Sequence, residues 1–323
     1  QSSPLKKMHG AGSRTVEWLQ TKFDSLGCTT MAMRLSCHSN KKVHAEALRL
    51  LLALVQGPNT TVQKSALASF SVGVKADLWF GTCSEVLRAA IGKLHKAHKQ
   101  SKASKSARDR AEDAWQEVGC QSGLDTAESG NEEEETLGAR GRVMMTLRLL
   151  ELLCKKQSVA WQDVMMRQTS STASYDLLRH CLDLLETLQP MLQSTQWSRN
   201  KAMFSLAMQT VNTITAMIEG PHEGNQKALL STTFLSTVNR LISGVVYVAE
   251  QSLVSQNLKH NGGKGAAFEP SDHDMSGHDG PDPTGCKASM NDLRCWFRRA
   301  VLRCICSLLE VVKDRQEPMQ VVK

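Results

Sequence analysis

A few stretches of the 323-residue chain bring together side chains of the kind that do chemistry. Asp272-His273-Asp274-Met275-Ser276-Gly277 sets oxygen ligands at alternate positions before a glycine that allows a sharp turn, as in the first half of a helix-loop-helix calcium site. The second half does not follow. Position twelve, where a bidentate Glu closes such a site, is Pro283, so no specific calcium binding is expected there. His273, His278 and Cys286 are zinc ligands in type, but three residues at that spacing match no closed tetrahedral site and read as a polar loop. No nucleophile elbow, phosphate loop, H-E-x-x-H or G-x-G-x-x-G is present, so no residue takes a catalytic, cofactor-binding or metal-binding role and no enzyme is expected.

Charge offers two further candidates. Lys93, Lys96, Lys99, Lys102, Lys105 and Arg108 recur every third position, a step of about 300° that spirals round a helix and makes no single face. Without interleaved aromatics, and beside an acidic block from Glu112 to Glu135, this run with His95 and His98 reads as solvated; no nucleic-acid partner is expected. The last helix sets Leu293, Trp296, Phe297, Ala300, Val301, Cys304, Ile305, Leu308 and Leu309 on one broad face, with Arg294, Arg298, Arg299 and Arg303 around it. A basic amphipathic helix with a Trp anchor resembles a calmodulin target or a membrane-surface helix. The competing reading, a solenoid helix packed inward, is preferred because its neighbours are also amphipathic. Asn59-Thr60-Thr61 is a glycosylation sequon, better explained as a helix cap.

These side chains must be held by helices. Aromatics are 5% of the chain and Leu, Met and Ala are abundant, a helix-forming supply of apolar residues. The segment Val43 to Gln56 is apolar nearly all round and so belongs between other helices; it stops at Gly57-Pro58 and restarts at Thr60, with Gln63 placed for a capping box. Val143–Cys154, Tyr175–Leu188, Ser198–Ile218 and Asn291–Val312 keep the same 3.6-residue period, and strand-like alternation is not evident. Gln56-Gly57-Pro58, four residues, Gln63-Lys64 is echoed by Glu219-Gly220-Pro221, four residues, Gln226-Lys227. A repeated helix-turn-helix unit that cannot bury its faces alone is what an α-solenoid is made of.

The ten Cys include no C-x-x-C pair and read as reduced, mostly buried thiols. The longest apolar run, Leu241–Ala249, is too short to span a membrane. With no initiating Met and no signal-peptide pattern, the chain reads as a piece of a longer cytosolic protein.

Four segments in this order resemble the intracellular calcium-release channels, the inositol trisphosphate receptors and more distantly the ryanodine receptors: HAEALRLLLALVQGPNTTVQ (44–63), LRLLELLCKKQSVAWQDVMMRQ (147–168), YDLLRHCLDLLETLQ (175–189) and AMIEGPHEGNQKALL (216–230). The last three look like the RIH-associated domain of that family and the first like the solenoid helices before it. The resemblance implies an all-α, armadillo-like solenoid of stacked helix pairs with disordered charged insertions. Its expected divisions are an ill-defined segment 1–40, solenoid helices 41–100, a charged insertion 101–141, the RIH-associated domain 142–258, a flexible loop 259–289, and a helix with its tail 290–323. Gly57, Pro58, Gln63, Gly220, Pro221, Asn225 and Gln226 are its structural motif residues.

It further implies a cytosolic module on the endoplasmic-reticulum membrane, partnered by the other domains and neighbouring subunits of a tetrameric channel. The β-trefoil ligand core, the membrane helices and the Gly-rich filter are absent from these residues. Two positions where the family carries calcium-binding carboxylates hold Lys155 and Ala216, with Glu151 and Glu219 nearby as imperfect substitutes, so that site is expected to be lost or relocated. A free-standing solenoid adaptor without a channel is the alternative.

Overall fold

The computed structural model describes residues 5–72, 74–103, 133–168, 173–193, 201–220, 222–243 and 290–313. Among them every regular element is helical and no strand occurs. The helices are α1 (Leu5–Ser25), α2 (Cys28–Leu35), α3 (Lys41–Val55), α4 (Thr60–Ala68), α5 (Ala76–Ala103), α6 (Glu133–Cys154), α7 (Val159–Met166), α8 (Leu177–Gln193), α9 (Lys201–Ile218), α10 (Glu223–Leu230), α11 (234–243) and α12 (Met290–Lys313). A 3-10 turn, Ser69–Val72, follows α4.

The chain is all-α and solenoid-like. Its long helices α3, α6, α9 and α12 pack one on the next, each presenting an apolar stripe to its neighbours. Short helices α4, α7 and α10 each follow a long one round a tight corner, and α5 packs on α8 and α8 on α9. The helix pairs expected from sequence therefore each carry a third helix: α3–α4–α5, α6–α7–α8 and α9–α10–α11 are successive units.

One continuous core runs from Ala32 in α2 to Leu308 in α12. Between the first two units it is aromatic. Trp79 meets Phe80 edge-on at 4.9 Å between centroids, and Phe70 and Trp79 each approach Trp161 to 6.0 Å. Rings at such offsets add about 0.5–1.5 kcal/mol each beyond the area they bury. Phe204 of α9 and Phe297 of α12 repeat the contact at the far end, 6.1 Å apart at 86°.

Several boundaries differ from those expected. The 1–40 segment carries α1 and α2, and α6 begins ten residues before Val143, inside the stretch assigned to the insertion. Lys93, Lys96 and Lys99 are exposed on α5 while Leu94 and Ala97 between them are buried, so helical packing continues into the lysine run. Leu50 of α3 is exposed. The Asp272–Gly277 half-loop, His273, His278 and Cys286 lie outside the described residues, as does Pro221. No helix among the described residues is long and apolar enough to cross a membrane.

Candidate functional site

The three corners after α3, α6 and α9 share one residue register. From the last helical residue, Val55, Cys154 or Ile218, the eighth residue on is Gln63, Gln162 or Gln226. The second residue on turns the chain through the left-handed region: Gly57 at φ 78°, Lys156 at φ 59°, Gly220 at φ 86°. Glycine adopts that conformation without cost; lysine does not. The middle corner is a third copy of the echo, hidden in the sequence because Lys156-Gln157 stands where the other two carry Gly-Pro.

Four glutamines join the units. A helix leaves its last carbonyls without partners, and burial makes that costly unless a donor is supplied. Gln20 of α1 donates its amide to the carbonyls of Ala53 (2.8 Å) and Gln56 (2.7 Å) at the end of α3. Gln63 of α4 donates to Leu152 (2.7 Å) and Lys155 (3.2 Å) at the end of α6. Gln162 of α7 donates to Ala216 (2.9 Å) and Glu219 (2.8 Å) at the end of α9. In each case the acceptors lie two residues before and one after the last helical residue. Gln226 of α10 reaches forward to Ser307 of α12 at 3.1 Å and back to Ile218 and Gly220. All four are buried.

A second set of bonds ties corner to corner. Asn59 caps α4, accepting from the amides of Thr61 and Val62, while its own amide donates to the Glu17 carbonyl, Gln20 Oε1 and Thr21 Oγ1. At 1% exposure it serves as a cap, as preferred over glycosylation. The capping box expected between Thr60 and Gln63 does not form, because the Gln63 amide is turned to the next unit. Trp161 donates to the Gln63 carbonyl at 2.8 Å, and Asn225 to the carbonyls of Gln162 (2.9 Å) and Met217 (2.8 Å). His222 caps α10 through Nδ1 and donates Nε2–H to Asp163 at 2.8 Å. Gly220 lies against Gln157 of the middle corner, where an added Cβ would sit 2.8 Å from two side-chain carbons.

Thus Gly57, Gln63, Gly220, Asn225 and Gln226 all lie in the corners, whereas Gln20, Gln162 and Trp161 were not singled out from sequence. Gln162 was detectable, since it keeps the eight-residue offset from Cys154. Gln20 was not, because no such corner precedes it within α1.

Beside the middle corner, Glu151 is buried on α6. Lys155 Nζ lies 2.8 Å from Oε1, Arg148 Nη1 2.9 Å from Oε2, and the Gln209 amide donates to Oε2 at 2.7 Å. Burial pushes this carboxyl up, but Arg148, Lys155 and the hydrogen bonds outweigh it and hold the pKa below the ordinary carboxylate value. Lys155 thus supplies positive charge that this carboxylate faces. Ala216 is buried and contributes its carbonyl, to Gln162. Among the described residues no group of three His, Cys, Asp or Glu is placed to hold a metal ion.

The remaining candidates are placed elsewhere. The Trp296 helix turns Leu293, Phe297, Ala300, Val301, Cys304 and Leu308 inward, with Trp296 and Ile305 half-buried, so most of the face that resembled a calmodulin target is packed on α9; Leu309, expected on that face, is exposed. His95 lines a groove of about 710 Å³ between α5 and α8, with His98, His180, Asp183 and Glu186. The thiols of Cys83, Cys154, Cys181 and Cys304 are buried, and burial raises the pKa of each, Cys304 to about 12, so all four are poor nucleophiles.

The last two corners and the Glu151 cluster fall within one match to a known family. Residues 139–242 match the family model described as RyR and IP3R Homology associated. The match bears out the resemblance to the calcium-release channel family over that segment. This RIH-associated segment runs from α6 into α11 and includes Gln162, Asn225 and Gln226. No curated protein matches the chain.

Proposed function

We propose that the chain is a helical regulatory and coupling module of an intracellular, ligand-gated calcium-release channel of the inositol trisphosphate receptor type, on the cytosolic face of the endoplasmic-reticulum membrane. One observation carries this reading: the RIH-associated match coincides with the two corners that Gln162 and Asn225 lock together. Units joined by buried amide bonds of this kind move as semi-rigid bodies and bias gating by displacement rather than by chemistry. The partners are the other domains of the full chain and the neighbouring subunits of a tetramer. The module has no catalytic role. Its family calcium site is replaced by a fixed ion cluster in which Lys155 takes the place of a cation.

The test is to follow the reading frame downstream. About six apolar spans of roughly 20 residues with a Gly-rich filter before the last are expected. Calcium release from microsomes bearing the full-length protein then falls when Gln162→Leu separates the two corners. A frame that ends without such spans overturns the channel reading in favour of a free-standing solenoid adaptor.

A further inference from the structure

The seam between α5 and α8 opens to solvent as a groove of about 710 Å³, lined by Arg88, Ile91, His95 and His98 of α5 and by Thr187 and Pro190 of α8. The lysines of α5 taken alone spiral round the helix, but Arg88, His95 and Lys99 fall within about 40° of one another and are all exposed, a basic edge along the groove. Among the described residues neither Arg88 nor Lys99 forms an ion pair. Gly92 sits between them without a side chain, and a Cβ added there would meet open space. Across the groove the carboxylates are engaged: Asp183 Oδ1 lies 2.8 Å from Arg179 Nε, and Glu186 accepts the Thr233 hydroxyl. What stays unsatisfied is apolar surface at Ile91 and Pro190 beside positive charge.

That combination suits an aromatic side chain flanked by carboxylates. The chain carries one close by. Glu112-Asp113-Ala114-Trp115-Gln116-Glu117 sets three acids round a tryptophan, with no Lys or Arg between Arg110 and Arg140. These residues lie outside the described ones, in the stretch that leaves the end of α5 at Ala103. Glu112 follows Ala103 by nine residues, a reach of up to about 30 Å, whereas Ile91 lies only about 18 Å back along the helix. Trp197, four residues after Gln193 at the end of α8, is the competing ring, but Arg199 and Lys201 beside it would bring like charge to Arg88 and Lys99.

We infer that the α5–α8 groove is the docking site of the chain's own Glu112–Glu117 segment, with Trp115 over Ile91 and Pro190 and its acids along Arg88, His95 and Lys99. A tether this short gives an effective concentration on the order of millimolar, so contacts too weak to hold a free peptide suffice. Docked there, the segment screens the basic edge of α5 from external polyanions. The inference goes beyond the channel reading and does not depend on it.

The experiment places 5-fluorotryptophan in the 323-residue chain, whose six Trp give six fluorine signals, and assigns Trp115 by Trp115→Phe. A neutral gadolinium chelate broadens the signals of exposed rings. Trp18, 59% exposed, is the reference for full access, and the buried Trp79 and Trp161 report the fold. The Trp115 signal is expected to broaden at least fivefold less than that of Trp18. Arg88→Glu with Lys99→Glu, or Ile91→Glu, brings it to the Trp18 level while the Trp79 and Trp161 signals stay in place. Lys93→Glu, exposed on another side of α5, leaves it protected. Should Ile91→Glu disturb the buried signals, the charge-reversal pair alone decides. Broadening of Trp115 equal to that of Trp18 in the wild-type chain overturns the proposal. So does protection that survives the groove variants, which puts the ring elsewhere, or protection lost on tenfold dilution, which puts it on a second copy.

Discussion

The amide of Gln63 donates to the carbonyl of Leu152, 89 residues later in the chain, at 2.7 Å, and the same nitrogen reaches the Lys155 carbonyl. One side chain thus closes the end of a helix in the next unit and couples the stability of the two. Gln63→Leu keeps the volume and leaves two buried acceptors without donors, at a cost of about 2–3 kcal/mol. Gln63→Glu sets a carboxylate against two carbonyls and costs more. Urea denaturation followed by circular dichroism measures both; if either variant unfolds at the wild-type midpoint, the Gln63 bonds do not hold the two units together.

Lys156 occupies the backbone conformation that glycine supplies at Gly57 and Gly220. Lys156→Gly is expected to stabilise the chain by about 0.5–1 kcal/mol, the left-handed strain relieved less the entropy glycine adds to the unfolded state. The reverse changes are unequal. Gly57→Ala meets open space and bears only the backbone strain, about 1 kcal/mol. Gly220→Ala runs its new carbon into Gln157 as well and destabilises more. Thermal melts of the three variants should rank in that order.

The Glu151 cluster behaves as an internal salt, and its acid dependence follows. Because the folded pKa is depressed, the carboxylate stabilises the fold above its unfolded value and loses that contribution as pH falls below it. Stability contributed by Glu151 is therefore flat from neutral pH to about pH 5 and declines only in acid. Glu151→Gln removes this acid-range slope and leaves Arg148 and Lys155 without their counter-charge. In calorimetry the wild-type chain is expected to take up no calcium at micromolar levels. Stoichiometric binding abolished by Glu219→Gln would show instead that a calcium site is retained at the corner after α9.

A second pH dependence comes from His44. Its Nδ1–H donates to the Ser36 carbonyl, while burial, with Arg142, lowers its pKa more than that bond raises it. Below 6.5, the ordinary value, the unfolded state binds a proton that the folded state refuses, so stability falls from there toward the folded pKa. His180 acts in the same direction through burial and Arg88, with Asp183 and Asp176 opposing. Denaturation at about pH 8 and pH 5.5 should show a loss of up to ~1.4 kcal/mol per pH unit per group. His44→Gln should remove one share of it.

The helical class, the corners at Gly57 and Gly220 and the capping role of Asn59 could be read from the chain, because each rests on a signal confined to a few neighbouring residues: a 3.6-residue period, a glycine before a proline, a short polar side chain at a helix start. Lys156 was opaque, since no residue type announces that tertiary contacts will hold it at positive φ. The turn of Gln63 toward Leu152, the burial of Glu151 between two cations and the inward face of the Trp296 helix all depend on partners tens of residues away or on the packing of whole helices. For a buried amide or carboxylate, desolvation leaves only the choice of which group satisfies it. Packing between units made that choice.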